Sequence, residues 1–199
     1  SAGGTVTNCY ATGAVTGDYY VGGLVGVVGY GGTVTNCYAT GAVTGDNSVG
    51  GLVGLNISGT ITNCYATGAV TGNVFVGGLV GVNYGTVTNC YATGAVTGDV
   101  DVGGLVGYNY GTVTNCYATG AVTGGICVGG LVGYNYGTVT NCYATGAVTG
   151  SDNLGGLVGR MGSGTVTNCY ATGAVTGTYS VGGLVGYNFG GTVTASYYD

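Results

Sequence analysis

One ten-residue sequence, NCYATGAVTG, repeats through this chain without a single change. It occurs seven times, at 8–17, 36–45, 63–72, 89–98, 115–124, 141–150 and 168–177. A second fixed block, GGLVG, stands between the copies, and Thr-Val-Thr or Thr-Ile-Thr precedes each copy. A period this strict predicts a repeat architecture in which one structural unit stacks on copies of itself.

The length of the unit varies at one place only. Successive motif cysteines are 28, 27, 26, 26, 26 and 27 residues apart, and the change follows GGLVG, where VVGYGG at 27–32 becomes VNYG at 82–85. A corner that tolerates insertion behaves as a loop projecting from a stacked coil. The remainder suits about three short strands per unit: Thr-Val-Thr, a strand near 14–16 and a strand over 21–25. No stretch has the 3.6-residue apolar period of a helix.

These features predict an all-β fold, a β-solenoid (β-helix) of about seven coils of 26–28 residues. At ~4.8 Å per coil this is a rod roughly 34 Å long. Residues 1–199 form a single repeat domain, and its handedness stays open. The coils are expected to start near Thr5, Thr33, Thr60, Thr86, Thr112, Thr138 and Thr165, with a partial last coil from Thr192. A set of antiparallel hairpins is a rival layout, because a unit of this length could fold back once.

In a parallel solenoid identical residues stack into columns, and two polar columns are expected to stabilise the coil. The first is an amide ladder of Asn8, Asn36, Asn63, Asn89, Asn115, Asn141 and Asn168. The second is an aromatic ladder of Tyr10, Tyr38, Tyr65, Tyr91, Tyr117, Tyr143 and Tyr170. Columns of Val6, Val15, Val21, Leu24 and their equivalents would fill the interior.

A third column consists of cysteines, one per unit. It contains Cys9, Cys37, Cys64, Cys90, Cys116, Cys142 and Cys169, while Cys127 lies elsewhere. Single cysteines at this spacing lack the CxxC pairing of a zinc site. We interpret them as small buried thiols. Disulfides between neighbouring units and metal binding are the alternatives, although a ~4.8 Å step is wider than the ~3.8 Å between disulfide Cβ atoms.

Charge and composition exclude several classes of function. The net charge is -5 with one basic residue, Arg160, which argues against nucleic acid and against an anionic membrane surface. No apolar run is long enough to span a bilayer, so no membrane insertion is expected. The chain has no histidine, and therefore neither a Ser-His-Asp nor a Cys-His pair. We expect no enzyme activity, no cofactor and no metal; the scattered aspartates are too few for calcium.

The repeated sequence VGGLVGYNYGTVTNCYATGAVTG resembles the GLUG repeat, named for its Gly-Leu-(Val)-Gly core. The resemblance covers essentially the whole chain. It implies a large secreted or cell-surface bacterial protein, as in adhesin-like proteins and IgA1-specific metallopeptidases of gram-positive bacteria. The implied role is an extracellular, non-catalytic spacer or adhesive stalk. Peptidase activity is not implied, because HExxH cannot exist without histidine.

We therefore predict an extracellular or cell-surface structural protein: a stalk, an adhesin module, or a subunit of a filament built by stacking coils. Its partners would be copies of itself or flanking domains, and host or matrix glycans at the variable positions. The candidate ligand-loop residues are Asp18, Tyr19, Tyr20, Asp99, Asp101, Tyr108, Tyr110, Tyr134 and Tyr136. Asn56-Ile57-Ser58 is a glycosylation sequon. The alternative function is ice binding through a flat grid of Thr-Val-Thr threonines.

Overall fold

Every coil of the protein consists of short strands joined by tight corners. The structure, a computed structural model, describes residues 3–199, in which strands, turns and bends occur without a helix. Each strand pairs in parallel and in register with its equivalents in the adjacent coils, for example Val34 with Val6 and with Ile61. The predicted β-solenoid of about seven coils is confirmed, and the antiparallel hairpin layout is wrong.

The paired strands form five sheets, numbered here in the order in which the chain passes through them. Sheets 1 and 2 have eight strands each, and sheets 3, 4 and 5 have seven. The seven complete coils are therefore followed by strands from Thr192 onward that contribute to sheets 1 and 2 only.

Sheet 1 is formed by the Thr-Val-Thr strands. They are Thr5–Thr7, Thr33–Thr35, Thr60–Thr62, Thr86–Thr88, Thr112–Thr114, Thr138–Thr140, Thr165–Thr167 and Thr192–Thr194. Sheet 2 follows one corner later, with strands Tyr10–Ala11, Tyr38–Ala39, Tyr65–Ala66, Tyr91–Ala92, Tyr117–Ala118, Tyr143–Ala144, Tyr170–Ala171 and Tyr197–Tyr198.

Sheet 3 is formed by the Val-Thr strands near the end of each NCYATGAVTG block. Its strands are Val15–Thr16, Val43–Thr44, Val70–Thr71, Val96–Thr97, Val122–Thr123, Val148–Thr149 and Val175–Thr176. Sheet 4 carries the variable residues, in Tyr19–Gly22, Asn47–Gly50, Val74–Gly77, Val100–Gly103, Ile126–Gly129, Asp152–Gly155 and Tyr179–Gly182. Sheet 5 leads to the corner of variable length, through Val25–Val28, Val53–Asn56, Val80–Asn83, Val106–Asn109, Val132–Asn135, Val158–Met161 and Val185–Asn188.

The coil thus has five strands, where the sequence predicted about three. The strand expected over 21–25 is two strands, because the chain turns at Gly23 and Leu24 between sheet 4 and sheet 5. The short strand at Tyr10–Ala11 was also missed. Both errors come from corners that need only one or two residues, which an apolar pattern over the whole segment does not reveal.

A left-handed corner explains why Val6 and Cys9 can belong to one interior although their spacing is odd. Asn8 between them has φ 56°, and the later asparagines of this column have φ of 54–55°. A residue in this region breaks the alternation of a strand, so that side chains three positions apart can both point inward. Asparagine is one of the few residues with a side chain that tolerates this conformation well.

The interior consists of two apolar columns rather than one. The larger lies among sheets 1, 2 and 5 and contains the equivalents of Val34, Cys37, Ala39 and Leu52. The smaller lies between sheets 3 and 4 and contains the equivalents of Val43 and Val49. These positions are almost fully buried through the central coils, as expected for the columns of Val6, Val15, Val21 and Leu24.

The last glycine of GGLVG lets sheets 4 and 5 meet backbone to backbone. A Cβ atom built on Gly107 would lie 2.6 Å from the carbonyl carbon of Phe75 and from the nitrogen of Val76. Any side chain at this position would force the two sheets apart. Variable residues of sheets 4 and 5 therefore project side by side on the outer surface of the rod.

Candidate functional site

The predicted asparagine ladder lies on the surface as a continuous chain of amide hydrogen bonds. Nδ2 of Asn36 donates to Oδ1 of Asn8 at 3.2 Å, and each later asparagine donates to the one before it at 3.2–3.4 Å, up to Asn168. The side chains are exposed, so that water competes for each bond. The column fixes the corner between sheets 1 and 2 in every coil.

The predicted tyrosine ladder is a stack of parallel rings beside the asparagines. Ring centroids are 4.9 Å apart through the central coils, with interplanar angles of 2–3°. Tyr197 extends the stack into the partial eighth coil at 5.5 Å from Tyr170. Because each ring face is covered by its neighbour, the ladder presents ring edges and hydroxyl groups to solvent.

A second asparagine ladder, which the sequence analysis missed, lies inside the rod at the end of sheet 5. It consists of Asn56, Asn83, Asn109 and Asn135, all with no exposed surface. The Nδ2 atoms of Asn56, Asn83 and Asn109 each donate to Oδ1 of the next asparagine at 2.8–2.9 Å, and Nδ2 of Asn135 donates to Sδ of Met161 at 3.6 Å. The same amides donate to a glycine carbonyl two or three residues later and so hold the corner of variable length.

This buried ladder also settles the place of the glycosylation sequon. Asn56 is its acceptor residue, and the Nδ2 atom that would carry a glycan is bonded to Asn83 in the interior. The folded chain therefore offers no access to this amide. A sequence signal was present in the recurring Val-Gly-x-Asn, but Val28 and Met161 interrupt it.

The cysteine column lies next to the core of sheets 1, 2 and 5. All eight cysteines are free thiols; Cys9 is exposed and the other seven are buried. Through the central column each backbone N–H donates to the Sγ atom of the next coil at 3.4 Å. A side-chain hydrogen bond with the thiol of Cys116, together with burial, raises the pKa of Cys142 to about 12. Apart from the exposed Cys9, the cysteines of the column are buried, as structural thiols are.

The threonines of sheet 1 face outward while the central valine or isoleucine faces the core, as Val34 and Ile61 do. Two threonine columns consequently run side by side along the rod. Oγ1 of Thr33 donates to Oγ1 of Thr5 at 3.2 Å, which shows how closely equivalent hydroxyl groups approach.

Five of the nine candidate ligand residues lie in strands rather than in loops, and the other four lie at the bends beside those strands. Tyr19 and Tyr20 belong to a strand of sheet 4, as does Asp101. Tyr108 and Tyr134 lie in strands of sheet 5, and Tyr110 and Tyr136 follow at its corner. Asp18 and Asp99 are exposed just before sheet 4. The third residue of each variable triplet, such as Tyr20, adopts a left-handed backbone and forms a bulge within this strand.

The structure brings four of the predicted tyrosines into one aromatic cluster. Rings of Tyr108 and Tyr134 are 5.5 Å apart, and those of Tyr110 and Tyr136 are 4.8 Å apart. The hydroxyl groups of Tyr134 and Tyr136 are 2.7 Å apart. Arg160, the single basic residue, packs its guanidinium 4.9 Å from the Tyr134 ring, and its Nε is buried without a partner.

Asp101 lies beneath this cluster, only 6% exposed. Burial raises its pKa to about 6, and a hydrogen bond to Cys127 and the charge of Arg160 oppose the shift. Burial and the nearby carboxylate in turn raise the pKa of Cys127 to about 12. Asp101 is therefore a desolvated carboxylate in the wall of the rod rather than an open ligand.

A separate cavity of about 180 Å³ lies between sheets 4 and 5 in the first three coils. Tyr20 and Phe75 line it from the left-handed position of sheet 4, with Ser48 between them. Leu55, Val82 and Tyr84 line it from sheet 5 and its corner. Of the residues that line this cavity, the sequence identified only Tyr20 as a candidate. The others come close to Tyr20 only when the coils are stacked.

Residues 3–199 contain neither a membrane-spanning helix nor a cluster of metal-ligating side chains. That part of the chain has no helix of the length and apolarity needed to cross a bilayer. Among the same residues no three histidine, cysteine, aspartate or glutamate side chains converge as a metal site requires.

Comparison with known proteins gives a family and a fold. The family model of the GLUG motif matches six consecutive units, at 17–44, 45–71, 72–97, 98–123, 124–149 and 150–176. No curated protein matches the chain. A crystal structure of a candidate immunoglobulin A1 protease from Bacteroides ovatus is similar, with 23% identity and a TM-score of 0.62. The similarity covers 94% of this chain and 66% of that one, just under two thirds of its length. At this identity the likeness shows the fold alone.

Proposed function

Because the chain belongs to the family defined by the GLUG motif, we propose that it is a non-catalytic, rod-like segment of an extracellular protein, a stalk or adhesin module at a bacterial surface. The GLUG motif is typical of secreted proteins. The β-helical fold and the repeated family motif agree with a secreted or surface protein, and we propose that its role there is structural.

The observation that carries the proposal is the continuity of the columns along the rod. The exposed asparagine bonds run from Asn8 to Asn168 and the stacked rings from Tyr10 to Tyr197 without an interruption. Identical side chains in register tie each coil to the next in the same way. A chain built like this resists bending and holds its two ends a fixed distance apart, which is what a spacer must do.

The same construction favours assembly where coils are free to pair. Within residues 3–199 the outermost strands of each sheet have one unpaired edge, and the chain has few charges to oppose pairing. A flanking coil of the same protein or a second copy could satisfy these edges equally well. A filament subunit is therefore the second form of the same structural role.

Electron microscopy of the purified chain across a concentration series tests the proposal. Separate rods about 34 Å long at all concentrations support a stalk segment, and filaments with a rise near this length support the assembling form. Compact particles with no elongated axis would overturn the structural role in both forms.

Ice binding remains a second candidate because of the threonine columns of sheet 1. The sixteen threonines of its eight strands form a regular grid at about 4.8 Å across the strands and about 6.6 Å along them. Thermal hysteresis of a dilute solution is the test, with Thr114→Tyr as the variant that disrupts the grid. Hysteresis lost in this variant would favour ice binding, and no hysteresis in the unmodified chain would remove it.

A further inference from the structure

The cavity between sheets 4 and 5 has the form of a slot with an aromatic residue on either side. Tyr20 and Phe75 occupy the same position of sheet 4 two coils apart, and Ser48 occupies the position between them. Two coil steps separate the aromatic residues by ~9.6 Å. Where another aromatic residue would have completed a ladder, the small serine leaves a gap between the two aromatic side chains.

The backbone directs both aromatic side chains, and a neighbouring ring also packs against Phe75. Both residues have a left-handed backbone, with φ of 52° for Tyr20 and 56° for Phe75, which is uncommon for large side chains. A bulge of this kind re-aims a side chain out of the sheet. Phe75 also packs on Tyr108 of the next coil, at 5.1 Å between ring centroids. The Phe75 side of the slot is therefore fixed by packing, while the Tyr20 side is about half exposed.

We propose that this slot binds one neutral pyranose ring of a glycan. The inference rests on the proposed function, because a stalk at a bacterial surface is in contact with glycans. It assigns a defined binding site to that stalk. C–H groups on the two faces of a sugar ring pack well against the electron-rich faces of aromatic rings. The volume of about 180 Å³ is below the usual 300–1,000 Å³ of drug-sized pockets, so it admits a single ring.

The width of the slot favours a sugar over a planar aromatic ligand. Carbon atoms pack at about 3.5–4.0 Å, so a flat ring between two aromatic faces needs about 7–8 Å. The backbone spacing of ~9.6 Å between Tyr20 and Phe75 is wider than a flat ring needs. A pyranose chair is thicker, because its ring is puckered and its hydroxyl groups project from it, and it fills this separation better.

The polar groups of the slot suit a neutral ligand. Ser48 is 3% exposed, and its Oγ donates to Oδ1 of Asn47 at 2.7 Å, which leaves lone pairs of that hydroxyl and the amide group of Asn47 for sugar hydroxyls. Leu55 and Val82 supply an apolar side. The lining has no charged residue, and Arg160 lies three coils beyond Phe75, so nothing in the slot selects a carboxylated sugar.

Saturation-transfer NMR with methyl glycosides of glucose, galactose and mannose tests the assignment directly. Binding of at least one glycoside is expected with Kd on the order of 1 mM, which is usual for a ligand of this size. Ser48→Phe fills the slot, and its backbone already suits phenylalanine because Phe75 has the same φ. Phe75→Ser removes one wall. Both variants should weaken binding about tenfold or more.

Tyr179→Ser is the matched control, because Tyr179 is 68% exposed on the same sheet but remote from the slot. Binding that is retained in this control and lost in Ser48→Phe and Phe75→Ser supports the site. No transfer from any of the three neutral glycosides, or equal transfer in Ser48→Phe, would overturn it. Stronger transfer from a sialic acid glycoside would also contradict it. Rods of unchanged length in electron microscopy for Ser48→Phe separate failure of this inference from failure of the stalk role.

Discussion

The buried asparagine ladder is expected to contribute more to stability than its number of residues suggests, and Asn109→Ala measures this. Asn109 has no exposed surface. Its Oδ1 accepts from Asn83 at 2.9 Å, and its Nδ2 donates to Oδ1 of Asn135 at 2.8 Å and to the carbonyl of Gly111 at 3.3 Å. Truncation leaves an N–H of Asn83, the Asn135 oxygen and the Gly111 carbonyl without their partners.

An unsatisfied buried polar group costs about 1–3 kcal/mol, and the void left by the amide lets some water reach the corner. We therefore expect Asn109→Ala to lower the free energy of unfolding by about 3–5 kcal/mol. Asn115→Ala is the control, because Asn115 makes two ladder bonds of 3.2 Å but is exposed. In Asn115→Ala water replaces the lost hydrogen bonds, and the strain of alanine in the left-handed conformation lowers the free energy of unfolding by about 1–2 kcal/mol.

Guanidinium unfolding followed by circular dichroism gives both values, and native-state hydrogen exchange shows whether the loss is centred on the corner at 109–111. Equal destabilisation by Asn109→Ala and Asn115→Ala, or a change below about 1 kcal/mol for Asn109→Ala, would refute the reasoning.

Three further predictions concern single positions. Folding raises the pKa of Asp101 to about 6, so the folded state disfavours its charged form. The free energy of unfolding of the unmodified chain, measured relative to that of Asp101→Asn, should therefore fall by up to about 3 kcal/mol as the pH rises from 4 to 7. A difference between the two chains that does not depend on pH would contradict this. Gly107→Ala should prevent the close approach of sheets 4 and 5 and lower the melting temperature strongly, whereas Gly13→Ala, with nothing within 4 Å of its Cβ, should change it little. A thiol reagent should modify Cys9 rapidly in the native chain and the other cysteines only after unfolding; rapid reaction of several thiols would show that the column is open.

The repeat made the fold readable from the sequence. Invariant Asn8 and Tyr10 positions, with length changes confined to one corner, required a parallel stack with ladders. The five-strand coil could not be read in the same way. A left-handed Asn8 and the turn at Gly23 change the direction of side chains without changing the pattern of apolar residues.

The candidate sites were readable only in part. Tyr20 was recognised as variable and exposed, but its relation to Phe75 depends on a spacing of two coils and on the small Ser48 between them. The buried ladder of Asn83 and Asn109 was missed because it ends against Val28 and Met161 and borders the corner of variable length. Columns that are broken in sequence become visible only in the stacked structure.

The central claim is that the chain is a rod whose length is set by its number of coils. Small-angle X-ray scattering tests it on chains in which the unit 98–123 is duplicated once, twice and three times. The maximum dimension should grow by ~4.8 Å for each added unit while the cross-sectional radius of gyration stays constant. Growth of the cross-section, or a maximum dimension that does not follow the number of units, would contradict the account.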